Sequence, residues 1–400
     1  MNLTSPLDIG EHGRQTAELG YVMDFAIADF LQDLSLSGKK KEREVDIHNK
    51  STGRKIIAFC TTLFLILSSI NNPAYSFYPA INFLPMQKGM CYAVWDKNQF
   101  ASHYSDESLK KLTSLGVEYI SICPTHYQKE YNSKEIKRTD RTSSKKSLVH
   151  VITTARSLDL KVMLKPHIDL IDKFDGTYWR ADIGFRSEDD WKEWFTSYKK
   201  MILEYAVLSE QMNVEIFCIG TELSFASTKS SYWEELIAEV RKIYSGKLVY
   251  ASNWDNYKNI TFWDKLDYAG IDAYFPLTQK TNPSLEDLKN GWGEWKQEIK
   301  TWHAKINKPI LFTEIGYPST SHAASAPWQN PTSGNADPEI QANCYKAFFE
   351  TVWNEKWLAG VYWWKWDSNT RAGGKNNRHF TPQNKSAQNV IEENYTSYKK

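Results

Sequence analysis

Val214-Glu215-Ile216-Phe217-Cys218-Ile219-Gly220-Thr221-Glu222 is a short apolar run that stops on a carboxylate. A second stretch, Lys308-Pro309-Ile310-Leu311-Phe312-Thr313-Glu314-Ile315-Gly316, has the same design. Runs of this length and β-branched content read as buried strands of a parallel sheet. A carboxylate at the end of such a strand is set at the rim of the sheet rather than on a solvated helix face. Parallel α/β barrels keep their chemistry at that rim.

Working outward, short apolar runs alternate with amphipathic stretches from Lys88 onward. That alternation is the signature of repeated β/α units. The strand candidates are Gly89–Trp95, Tyr119–Pro124, Lys161–His167, Val214–Glu222, Lys247–Asn253, Tyr268–Phe275, Pro309–Ile315 and Ala359–Trp366. Between them, Asp189–Met212 opens on acidic residues and repeats Trp191, Trp194, Phe195, Tyr198, Ile202 and Tyr205 at helical spacing. Ser231–Tyr244, Pro338–Trp353 and a closing Gln383–Tyr398 follow the same rule. Eight strands with eight helices over residues 88–400 predict an α/β fold, a (β/α)8 TIM barrel. The surplus length falls in two rim loops, His167–Asp190 and Gly316–Asp337, and loops that long in a compact domain carry function.

On this count Glu222 ends the fourth strand and Glu314 the seventh. Two rim carboxylates from separate strands are the equipment for cleaving a glycosidic bond: one protonates the departing oxygen, the other attacks the sugar. The competing reading of each is a salt-bridged loop residue. Trp95, Trp254, Trp364 and Trp366 fall at or just past strand ends, where an indole either stacks on a sugar ring or plugs the barrel top. Lys165 and His167 share one face of the third strand. Their charges are costly inside a barrel, so they are expected at the mouth on sugar hydroxyls, or as a pair orienting Asp169 or a glutamate. Asp255, Asp272 and Asp367 read as capping or loop-bonding residues.

The whole chain narrows the field. Lys plus Arg number 49 and Asp plus Glu 48, a formal net charge of +1, which leaves no surplus for a polyanion and argues against nucleic acid as a partner. All 16 Trp lie at or beyond Trp95. Residues 1–55 are polar and end in a basic cluster that includes Lys39, Lys40, Lys41, Arg54 and Lys55, so little fixed structure is expected there. Ile56–Ile70 is a mostly apolar run behind that positive flank and ahead of small residues near Ala74 and Ser76. As a helix it would reach roughly 22 Å, short of the roughly 30 Å hydrocarbon layer, so residues 56–76 read as a cleaved signal, with a signal anchor as the alternative. Residues 77–87 would be a linker. The barrel is then expected outside the cytoplasm, secreted, periplasmic or held to a membrane only through this segment. The cysteines offer no disulfide framework and are expected as buried thiols. No His-x-x-x-His pair, Cys-x-x-Cys clamp, phosphate loop or Gly-x-Ser-x-Gly elbow occurs, so neither a metal nor another cofactor is expected.

Six segments, in order, carry a closer likeness: Lys161 to Asp169, Ile219 to Leu223, Ser252 to Asp255, Asp267 to Leu277, Thr313 to Tyr317, and Gly360 to Trp366. Together they make the body similar to the clan A glycoside hydrolases, and in detail it resembles glycoside hydrolase family 113, whose characterised members are retaining β-mannanases. The resemblance implies Glu222 as acid/base, Glu314 as nucleophile, Tyr274 as a hydrogen-bond donor to that nucleophile, and Trp366 or Trp364 as a platform. It implies a polysaccharide substrate, β-1,4-mannan or glucomannan first, with another β-glycan such as a glucan as the alternative. A non-catalytic sugar-binding barrel is the reading from a different class. Most clan A enzymes have Asn before the acid/base; this chain has Thr221, as family 113 does, and Asn253 is the candidate to reach the 2-hydroxyl in its place.

Overall fold

The structure, a computed structural model, describes residues 86–397. The expectations for residues 1–55, 56–76 and nearly all of 77–87 lie outside the described residues, as does Cys60. Ten strands are described: β1 (Gln87–Ala93), β2 (Tyr119–Cys123), β3 (Thr125–Gln128), β4 (Lys161–Leu164), β5 (His167–Leu170), β6 (Ile216–Thr221), β7 (Lys247–Asn253), β8 (Tyr268–Asp272), β9 (Ile310–Ile315) and β10 (Leu358–Trp366). The helices are α1 (His103–Ser114), α2 (Lys145–Ser157), α3 (Glu188–Gln211), α4 (Ser230–Arg241), α5 (Leu285–Ile306), α6 (Pro338–Thr351) and α7 (Ser386–Ser397).

Eight strands close a barrel in the order β1-β10-β9-β8-β7-β6-β4-β2, and every pairing is parallel. The eight predicted strands supply them, so β6 is the fourth barrel strand and β9 the seventh. The third departs from its expected span. The predicted Lys161–His167 breaks at Pro166, which has no N–H to donate to a ladder. Its first part is β4, and His167 instead opens β5. This strand pairs with β3 in a separate two-stranded ribbon on the rim, so the loop expected from His167 begins as a strand. A second difference is a missing helix. Between β7 and β8 the chain makes only two 3-10 turns, Tyr257–Asn259 and Trp263–Lys265, so seven α-helices rather than eight are described.

Local chemistry accounts for the elements that frame the site. Ser187 caps α3 by accepting from the Asp190 amide at 3.1 Å, and Glu188, Asp189 and Asp190 lie against the positive end of its dipole. Its aromatic stripe is buried, as the spacing predicts. The lumen is filled by Cys91, Tyr119, Met163, Ile216, Cys218, Val249, Ala251, Tyr268, Leu311, Ala359 and Tyr362, a packed plug beneath the mouth. Cys91, Cys123, Cys218 and Cys344 are buried thiols. The closing helix α7 sends the Tyr395 hydroxyl to the Gly89 carbonyl at 3.1 Å and stacks that ring on Trp353. Among the described residues no helix is long and apolar enough to cross a membrane.

Candidate active site

The mouth of the barrel opens on a cavity of about 980 Å³ whose lining includes both Glu222 and Glu314. Glu222 follows β6 directly and adopts φ 56°, a left-handed conformation uncommon for a residue with a side chain. It breaks the strand's alternation at its last step. The turn is braced from below: the Glu222 amide donates to the Ala251 carbonyl at 2.8 Å, and the Leu223 amide to the Tyr250 hydroxyl at 3.2 Å. Gly220 is needed for this packing, since a Cβ there would lie 2.7 Å from ring atoms of both Trp233 and Tyr250.

Glu314 is held from two sides. Lys165 Nζ donates to its Oε1 at 2.5 Å and the Tyr274 hydroxyl to its Oε2 at 2.6 Å. Lys165 also reaches Asp272 Oδ2 at 3.3 Å, while Thr313 Oγ1 donates to Asp272 Oδ1 at 2.8 Å. Lys165 and Asp272 are completely buried. Burial works against the ammonium, but the charges of Asp272 and Glu314 outweigh it and hold Lys165 well above its ordinary range. Burial and the Glu314 charge push the Asp272 carboxyl well up. Asp272, expected as a capping or loop residue, is thus an interior group beside Glu314, its register partner across β8 and β9.

Lys165 also departs from its first expectation. It sits under Glu314 instead of on the cavity wall, which matches the alternative of a residue orienting a glutamate. His167 does line the cavity. Its Nε2 lies 3.4 Å from Lys165 Nζ and 3.7 Å from Glu314 Oε1, and its ring stacks on Trp364 at 6.0 Å. Burial, together with Lys165 and Arg180, pushes its pKa well below the ordinary histidine range.

Trp95, Asn253, Trp254, Tyr274 and Trp364 all reach the cavity lining. Trp95 meets Trp364 edge-on at 6.5 Å with Lys365 Nζ 4.3 Å above its ring, and Asn253 donates to Ser224 Oγ at 3.0 Å. Trp366 is placed elsewhere. It is buried under the rim with its indole N–H on Ser108 Oγ at 2.8 Å. The register explains the difference: Met90 pairs with Trp363 and Tyr92 with Trp366, so β10 carries one extra residue there and the alternation flips between Trp364 and Trp366.

Sequence reading missed much of the lining, and three of the residues it missed matter most. Trp179 and Trp328, both substantially exposed, stand on the two long rim loops, and Trp328 stacks on Trp254 at 5.4 Å. The third is Arg180, whose Nη1 donates to Glu222 Oε2 at 2.6 Å. The only signal for these was the length of their loops. Burial pushes the Glu222 carboxyl up, Arg180 pulls it down, and the Glu314 charge adds to the rise; the net direction is upward. Among the described residues no three His, Cys, Asp or Glu side chains gather as metal ligands.

A parallel barrel that brings acids from the ends of its fourth and seventh strands to one open cavity has the arrangement of a glycoside hydrolase. The model of Glycoside Hydrolase Family 113 matches residues 90–385, and the chain belongs to that family. A solved family 113 β-1,4-mannanase is 29% identical with a TM-score of 0.71, covering 78% of this chain and 100% of the other. The family 113 β-mannanase AaManA from Alicyclobacillus acidocaldarius, solved in complex with ManMIm, is 25% identical at the same TM-score, covering 78% and 98%. A β-glucuronidase from Ruminococcus gnavus, 12% identical with a TM-score of 0.54 over 78% of this chain and 50% of that one, shares the fold alone. No curated protein matches the chain.

Proposed function

We propose that the chain is an endo-acting β-1,4-mannanase that cleaves mannan or glucomannan by double displacement. The observation that carries the chemistry is the unequal treatment of two acids in one cavity. Glu314 is clamped between an ammonium and a phenol, which suits a fixed nucleophile; Glu222 is pushed toward its protonated form, which suits a general acid. In the first step Glu314 attacks the anomeric carbon while Glu222 hands its proton to the departing oxygen. In the second, Glu222 takes a proton from water, which displaces Glu314 with net retention. Tyr274 keeps its proton, because burial and the adjacent Glu314 push its pKa well up, and it remains a donor throughout. Trp95, Trp254 and Trp364 are assigned to sugar rings and Asn253 to a 2-hydroxyl.

The mannan assignment draws its support from the solved β-mannanases, and the experiment that tests it is incubation with mannan, glucomannan, cellulose and mixed-linkage glucan, following products by size and anomer. Release of β-configured manno-oligosaccharides of several lengths is expected; glucan cleavage without mannan cleavage would overturn the substrate while keeping the barrel chemistry. Tyr274→Phe is expected to lower kcat by about 10²-fold with KM little changed, because the lost donor acts on the reacting carboxyl rather than on substrate affinity. Steady-state kinetics on mannan would check it, and a change confined to KM would count against the role. Export through residues 56–76 is proposed on the same footing, since the apolar run there follows a positive flank.

A further inference from the structure

Arg180 binds the one carboxyl that this chemistry needs protonated at the start of each turnover. Its Nη1 lies 2.6 Å from Glu222 Oε2, and its Nε donates to the Ile168 carbonyl at 2.7 Å. The guanidinium is therefore bridged between β5 and the acid that follows β6. Its side chain is 17% exposed and that of Glu222 is 8% exposed, so solvent screens the contact far less than a surface ion pair. Other charged and titratable groups also face Glu222. Glu314 on β9 and Lys165 after β4 act on it through their charges, and Asp272, Tyr250 and Tyr274 feel its own. Asp169 on β5 acts on Arg180 through its charge and is itself paired with Lys173 at 2.9 Å.

A planar guanidinium presents donors in a rigid fork, so a carboxylate bound to it loses rotational freedom. We infer that Arg180 is a positioning residue for Glu222: by holding Oε2 it leaves Oε1 to meet the glycosidic oxygen, and its charge eases the return of Glu222 to carboxylate as the proton departs. The inference rests on Glu222 as the acid/base. A carboxyl pushed far up by burial would give its proton reluctantly and, once charged, would sit uncompensated in the cavity wall. The arginine offsets that cost at the moment the proton moves.

The test is the pH dependence of kcat/KM on a manno-oligosaccharide, with an activated aryl β-mannoside as a second substrate. Arg180→Gln is expected to move the alkaline limb up by about one pH unit, since a contacting cation is gone. It should also slow turnover of the aryl mannoside about tenfold, where departure needs no acid and the base-assisted second step limits the rate. Arg180→Lys has a single ammonium that cannot hold Oε2 and the Ile168 carbonyl in one fork, and it shifts the limb part of the way in the same direction. It carries the test if the Gln variant does not fold. An alkaline limb that stays in place in the folded variants overturns the inference. Glu222→Ala separates this failure from that of the underlying reading: loss of the limb in that variant keeps Glu222 as acid/base whatever Arg180 does, and persistence of the limb removes the reading itself.

Discussion

Glu314→Ala is expected to stop turnover of mannan, with kcat down by about 10⁴-fold or more, or about 5.5 kcal/mol of barrel-mouth chemistry. The size follows from its proposed role. A nucleophile that forms the covalent intermediate has no understudy, and the other carboxyl within the clamp, Asp272, is fully buried beneath it. Lys165 and Tyr274 would lose a shared acceptor, so thermal unfolding should be recorded beside the kinetics to separate loss of chemistry from loss of fold. A small anion supplies the decisive measurement. With an activated aryl β-mannoside, azide can enter the space vacated by the carboxylate and attack from the α face, giving an α-mannosyl azide. In Glu222→Ala the intermediate still forms and azide attacks from the opposite face, giving the β-azide. Identical azide anomers from both variants would remove the double-displacement assignment.

The second large effect is expected from Lys165→Met. The ammonium is the countercharge to two carboxyls packed side by side at zero or near-zero exposure, Asp272 and Glu314. Removing one partner of a buried ionic cluster typically costs about 3–5 kcal/mol, because the remaining charge is left out of water without a countercharge. The cost should depend on pH with a definite sign. Without Lys165, a carboxyl in the cluster has a folded-state pKa above its unfolded value. Its unfavourable contribution is absent below the unfolded value and grows as pH rises through the folded one. Denaturant unfolding at pH 5 and pH 8 would therefore show the larger deficit at pH 8, and adding Asp272→Asn should recover part of it. Equal deficits at both pH values would show that Lys165 contributes packing rather than charge.

The sequence carried the barrel because strand-end signals are local. The run Lys247–Asn253 needed only its own short apolar core, Leu248 to Ala251, to be found, and its observed bounds are the same. What escaped depends on partners far along the chain. Arg180 meets an acid 42 positions away, and Lys165 is paired with groups 107 and 149 positions away, so no window around either residue reveals its charge balance. Alternation put Lys165 on one strand face with His167, yet the depth at which it stops is set by Asp272 and Glu314 on β8 and β9. It failed at Trp366 because the shifted register between β1 and β10 is a property of two strands, and only one is visible at a time. The missing helix between β7 and β8 is a similar case. Residues 254–267 hold Trp254, Tyr257, Phe262 and Trp263, apolar enough to suggest a helix, but short 3-10 turns and loops carry these rings into the core instead.

The contact of Tyr395 in α7 with Gly89 in β1 bears on how this protein should be handled. The first and last barrel strands are neighbours, and the last described helix clasps the first of them from outside. A shortened version ending before residue 386 would give up that clasp and leave Trp353 without its stacked ring. Purification handles and fusion partners therefore belong outside α7, and cutting into this helix is expected to lower the thermal unfolding midpoint.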